Sequence, residues 1–275
     1  MSAPRRPLRG AALRAAQLGL LAVLLLLWYV LTDPDLLPPF YFDNANQAAF
    51  FFGQPVEVFR NVWNWFVSGD IYKHLGVTLF ETLMAFAIGT SGGMLVGLWL
   101  ALNDNASAVL DPYIKALNSM PRVILAPIFA VWFGLGVWSK VALGVTLVFF
   151  IVFFNVYQGV REVSPTLLAN ARMLGANRRQ LLRAVYLPSA TSWVFSSLHT
   201  SVGLAFVGAV VGEYLGSAAG VGYLILQAEG QFDVNTVFAG IVVLTAFALA
   251  LDGLVGMVER RLMVWQPKTS QTERL

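Results

Sequence analysis

The chain has 275 residues, 57% of them hydrophobic and 12% charged, with a mean hydropathy of +0.68. A soluble domain carries about twice that charged share, so lipid is the expected solvent for most of this chain. The absence of cysteine excludes a disulfide framework and thiolate metal sites. The net charge of +3 is explained below by membrane topology and gives no ground for a nucleic-acid partner.

In chain order, residues 1–14 are a basic tail bearing Arg5, Arg6, Arg9 and Arg14, and an apolar run follows. No small-x-small cleavage site occurs at its end, so 15–32 is expected to be an uncleaved first span. Residues 33–74 are rich in interfacial aromatics, including Phe40, Tyr41, Phe42, Trp63, Trp65 and Phe66. Val56, Phe59, Val62, Trp63 and Phe66 recur at helical spacing and predict an amphipathic helix on the membrane surface. The core, 75–262, then holds five further spans.

The second span, 75–102, carries Gly89, Gly92, Gly93 and Gly97 at a spacing that lets helix backbones approach closely. Asn103-Asp104-Asn105 reads as a turn, and Asp111-Pro112 as the start of a third helix kinked near Pro121 and Pro127. Spans four to six are expected at 141–157, 193–212 and 234–258. A glycine-punctuated loop with a short helix at 222–228 precedes the last span, and 263–275 is a polar tail. The expected fold class is therefore all-α, a polytopic membrane protein with six transmembrane helices.

Between spans four and five lies 164–190, the longest core segment unsuited to lipid. Ser164 and Pro165 suit a helix start, and Gly175 supplies a residue able to end the helix in a left-handed conformation. Asn177 suits the cap of a second short helix, 178–186, which Leu187-Pro188 is expected to stop. Two short helices meeting at a glycine form an elbow. Of the eighteen lysines and arginines, only Arg60, Lys73 and Lys140 fall on the side opposite the elbow. The positive-inside rule thus makes the elbow and both termini cytoplasmic.

The elbow resembles the EAA loop of ABC importer permeases. Ala169-Asn170-Ala171, Gly175, Val185, Leu187 and Pro188 fall on that pattern without a gap, with Ala169 where the family usually has glutamate and Asn170 in place of its first alanine. Pro121–Pro127, Trp132-Phe133-Gly134-Leu135-Gly136 with Ser139-Lys140, Gly212-Glu213 with Gly220-Val221-Gly222-Tyr223, and Glu259-Arg260-Arg261 with Trp265 are similar to the nitrate/sulfonate/taurine branch. The likeness covers residues 55–266 and implies a subunit of a bacterial inner-membrane importer for a small, anionic solute. It implies a second copy of the permease as a homodimer, a cytosolic ATPase dimer and an extracytoplasmic solute-binding protein. Ala169, Asn170, Ala171, Leu174, Gly175, Ala176, Asn177, Leu187 and Pro188 are then the ATPase-coupling residues. No G-x-x-x-x-G-K-[ST] loop occurs, so ATP and magnesium belong on the partner ATPase and this chain is expected to have no cofactor and not to be an enzyme.

Polar residues within spans mark candidate path positions. Ser192, Ser196, His199, Thr200 and Gly203 share one face of span five. That face either lines the path or packs small residues against another helix. Asn118, Ser119 and Asn155 lie toward the cytoplasmic side, as an inner gate or as caps of kinked helices. Glu213, Gly220, Gly222 and Tyr223 are candidates for an outer gate, or for a passive lid. Glu81 is expected to pair locally or to snorkel, and Asp252 to reach Arg260 or a neighbouring helix. The competing classes are an ion-gradient-coupled secondary transporter, which wants a midplane carboxylate and inverted repeats, and a membrane enzyme. Neither His74 nor His199, the only histidines, belongs to a catalytic motif.

Overall fold

Long apolar runs must satisfy every backbone N–H and C=O internally, and the helix is the local way to do so. The computed structural model describes residues 10–33 and 47–262, and all its regular elements there are helical. The expectations for Arg5, Arg6, Arg9, Phe40, Tyr41, Phe42, Trp265 and the polar tail lie outside the described residues. Among the described residues five helices are long and apolar enough to cross a membrane, and six spans result if one bent pair counts as a span.

Two units are distinguished, 1–70 with 225–243 and 71–224 with 244–275. The first holds α1 (Ala11–Thr32), α2 (Gln47–Phe52) and α3 (Pro55–Ser68), with the start of the last helix, α13 (Val234–Leu262). Trp28 donates its indole N–H to the Phe52 carbonyl at 3.1 Å and packs on Phe238. The Asn235 side chain accepts from the Gln54 N–H at 2.7 Å, and Asn61 donates to Thr236 at 3.0 Å. α3 therefore turns Val58 and Asn61 to the protein and leaves Val56, Phe59, Trp63 and Phe66 exposed, as a helix seated in an interface requires.

In the second unit α7 (Val137–Arg161) is the central helix, burying eleven residues from Ser139 to Val160. α4 (Asp70–Ala101) lies along it through Gly89, Gly93 and Gly97, one turn apart. A Cβ at Gly93 would stand 2.7 Å from the Phe149 carbonyl oxygen, and one at Gly97 2.8 Å from that of Phe153. Gly92 meets only an ordinary contact with Phe149 at 3.5 Å and belongs to the rim of the seam. α11 (Leu198–Leu215) closes on the other side, where Gly208 stands against Gly144.

The third helix differs from expectation. α5 runs Asp104–Ser119, because the Asn103 side chain accepts from the Ala106 N–H at 3.1 Å and starts the helix ahead of Asp111-Pro112. Pro112 lies inside it. After Pro121, Arg122–Leu125 forms a tight turn and α6 covers Ala126–Phe133, bent 85° from α5. The predicted kink is thus a sharp break.

The elbow comprises α8 (Pro165–Met173) and α9 (Arg178–Leu181). Leu187-Pro188 does not stop the second helix. The chain passes through a π-turn, Leu182–Tyr186, into α10 (Leu187–Ser196), and Pro188 sits in the first turn of that helix. A π-turn absorbs the register in which proline offers no N–H, so the helix continues. α12 (Val221–Gly230) completes the set and is longer than predicted.

Candidate functional site

At the elbow, α8 ends in a Schellman motif. The Ala176 N–H bonds the Ala171 carbonyl at 3.0 Å and the Gly175 N–H that of Arg172 at 2.9 Å. Gly175 has φ +84°, the left-handed conformation expected of it. Asn177 and Gln180 form a reciprocal capping box, each side chain accepting the other's backbone N–H at 2.8–2.9 Å. The N-x-x-Q spacing of this box is legible in the sequence. Ser164 makes no side-chain cap, and its backbone carbonyl takes the Leu168 N–H instead.

Ala169 and Asn170 are exposed on α8, Ala171 and Ala176 half-buried. Met173 and Leu174 are 81% and 89% exposed at the helix end. The base is firm: Leu181 is buried, Ser189 donates to the Gly159 carbonyl at 2.9 Å, and Trp193 fills the space over Gly159. Leu187 is half-buried and Pro188 exposed on that base.

Toward the elbow end of α7, a cavity of about 420 Å³ is lined by Asn118, Phe150, Phe154, Asn155, Ser197 and Thr200, among others. Three sequence candidates, Asn118, Asn155 and Thr200, meet here. Ser119 points elsewhere and donates to the Lys115 carbonyl. Asn155 donates to the Ile151 carbonyl at 2.8 Å, and the Ser197 hydroxyl to that of Val194. Beside the cavity stands Arg122, which the sequence marks only as a cytoplasmic charge and as part of the Pro121–Pro127 motif. Its guanidinium lies 4.7 Å from the Phe150 ring centre, and Nη2 donates to the Asn118 carbonyl and side chain.

His199 and Gly203 belong to a different, smaller niche against α13. The His199 imidazole is bonded at both nitrogens, to Asp252 at 2.7 Å and to Glu259 at 2.8 Å. Asp252 thus reaches a neighbouring helix. The carboxylates are one heptad apart on α13, so a single ring spans them. Ser196 lies on α10, a helix apart from His199, Thr200 and Gly203 on α11.

At the opposite end of α7 the outer-gate candidates gather around a buried carboxyl. Glu213 accepts from the Thr78 hydroxyl at 2.6 Å and the Gly222 N–H at 2.8 Å. The Gly220 N–H donates to His74 Nδ1 at 3.1 Å, and the His74 and Tyr223 rings stack. Gly220 has φ +107°, and Glu213 occupies the space a side chain there would need. Glu81 neither snorkels nor pairs locally: it is 1% exposed, against Glu213 and within electrostatic reach of Lys140. Lys140, equally buried, donates to the Leu135 and Gly136 carbonyls at 2.5 and 3.0 Å. Those carbonyls lie in the Gly134-Leu135-Gly136 turn. The motif was legible, but its partners on α4 and α11 were not.

Residues 93–264 match the model of the binding-protein-dependent transport system inner membrane component. The chain belongs to this family. The permease is 31% identical over 212 residues to the aliphatic sulfonates transport permease SsuC of Bacillus subtilis, covering 77% of each chain. It is 34% identical to the riboflavin transport system permease RibX of Chloroflexus aurantiacus, covering 81% of this chain and 83% of that one. Its fold resembles that in a structure of the MetNI methionine ABC transporter in an inward-facing conformation. The TM-score is 0.61 at 18% identity, over 70% of this chain and 95% of the other. As a transport permease of the inner membrane, the chain is not an enzyme.

Proposed function

We propose that the permease forms the membrane path of an ATP-driven importer and takes a small organic anion of the sulfonate type from a separate binding protein. The elbow faces the cytosol and docks on an ATPase that holds ATP and magnesium. Two copies of the permease enclose the path, and both termini lie on the cytosolic side. The observation that carries the coupling role is the tip of α8. Two large apolar side chains, Met173 and Leu174, project almost fully exposed from a helix whose end is locked by backbone bonds. Such a knob on a rigid lever suits insertion into a groove and transmission of a rigid-body displacement. The kinship with SsuC supports the choice of an anionic solute.

The test is co-purification with the ATPase and ATP-dependent uptake in proteoliposomes supplied with the binding protein. Gly175→Val puts a β-branched residue at φ +84°, where no neighbouring atom lies within 4 Å, so it strains the elbow without a clash. Assembly and uptake are expected to be lost together. Retained assembly and transport in this variant would overturn the coupling role. Uptake that needs no ATPase and follows an ion gradient would replace the importer with a secondary transporter.

A further inference from the structure

We propose that the cavity beside α7 is a solute-binding site for an organic anion with a flat apolar body, and that Arg122 reads the anionic group. This deepens the import reading above and rests on it. At about 420 Å³ the cavity falls within the range of small-molecule sites. Phe150 and Phe154 supply apolar wall, and Asn118, Asn155 and Thr200 supply groups able to orient a polar head. No carboxylate among the described residues lines it, so an anion entering meets no like charge there.

Arg122 adjoins this space through two of its lining residues, Asn118 and Phe150. Among the described residues its charge has no acidic partner. Arg161 pairs with Asp104 and Lys115 with Asp111, whereas no carboxylate among the described residues pairs with Arg122. Its Nε is buried with no hydrogen-bond partner among the described residues. A guanidinium held in place by an aromatic face and an asparagine, yet short of acceptors, is suited to a planar or trigonal oxyanion. The placement follows from the fold. The 85° break after α5 puts Arg122 in the turn beside α7 rather than in a solvated loop.

The experiment measures binding of benzenesulfonate and of neutral benzamide to the permease–ATPase complex in nanodiscs, by calorimetry or saturation-transfer NMR. The wild type is expected to bind benzenesulfonate saturably and benzamide at least about tenfold more weakly. Arg122→Gln should abolish that preference by weakening benzenesulfonate alone, and Arg122→Lys, which keeps the charge without the fork, should fall between. Phe154→Ala should weaken both probes alike, and it carries the test with Arg122→Lys should Arg122→Gln not assemble. Equal affinity of the wild type for both probes, no saturable binding of either, or an undiminished preference in the Arg122 variants would overturn the proposal. ATP-dependent uptake by the same complex with its binding protein separates the two failures. Uptake without the Arg122 effect discards this site and keeps the importer, and uptake independent of ATP discards the importer itself.

Discussion

The two ends of α7 are built on opposite plans. Around Lys140 the ionisable groups are sealed: Lys140, Glu81 and Glu213 are each at most 1% exposed, and backbone groups of two turns bond Lys140 and Glu213. Around Asn155 the helix borders an open cavity of neutral polar and aromatic groups, and the arginine at its edge has no acidic partner among the described residues. Buried charge is tolerated only when its partners are fixed, so the first end is suited to remain rigid. Polar side chains that border a space, with only part of their hydrogen-bonding capacity spent on the backbone, are suited to meet a passing solute. The contrast separates a sealed region from one that borders a cavity, the place where we propose the solute binds.

The sharpest way to break this comparison is Glu213→Ala. It leaves the Gly222 N–H unbonded, leaves the Thr78 hydroxyl only the His74 carbonyl and removes a carboxyl near Lys140, with an expected loss of about 3–5 kcal/mol. Thermal melting of the detergent-solubilised protein reads it, and an unchanged midpoint would mean that the sealed end is not structural. Gly93→Val tests the seam between α4 and α7, where a side chain meets backbone atoms. About 1–3 kcal/mol should be lost, while Gly76→Val, in open space, leaves melting unchanged.

At the elbow end the effects on stability should be smaller and local. Asn177→Ala removes half of the capping box and should cost about 1 kcal/mol. Faster hydrogen exchange confined to α9 would show it, and faster exchange throughout the core would contradict the division. His199→Gln should change stability least, by under about 1 kcal/mol, because the introduced amide can still donate to one of the two carboxylates. A double-mutant cycle with Asp252→Asn measures the coupling, and a larger value would show that this link is also part of the rigid frame.

Much of this was written locally. The apolar runs, the glycine ladder on α4, the Schellman end at Gly175 and the Asn177 cap follow from rules acting within a few residues, because helix formation, capping and left-handed backbone are short-range matters. The boundaries that failed did so where one local signal outcompeted another. Asn103 started a helix ahead of Asp111-Pro112, and a π-turn carried the chain past Leu187-Pro188. The tertiary structure alone decided the partners. Glu81 and Glu213 lie on α4 and α11, and the distance from Thr78 to Glu213 spans 135 residues of sequence. Arg122 looked like one more cytosolic charge until the break after α5 set it beside Phe150. Which polar groups meet depends on how helices pack and where they bend, and that balance of steric fit and desolvation is set only once all the segments are in place.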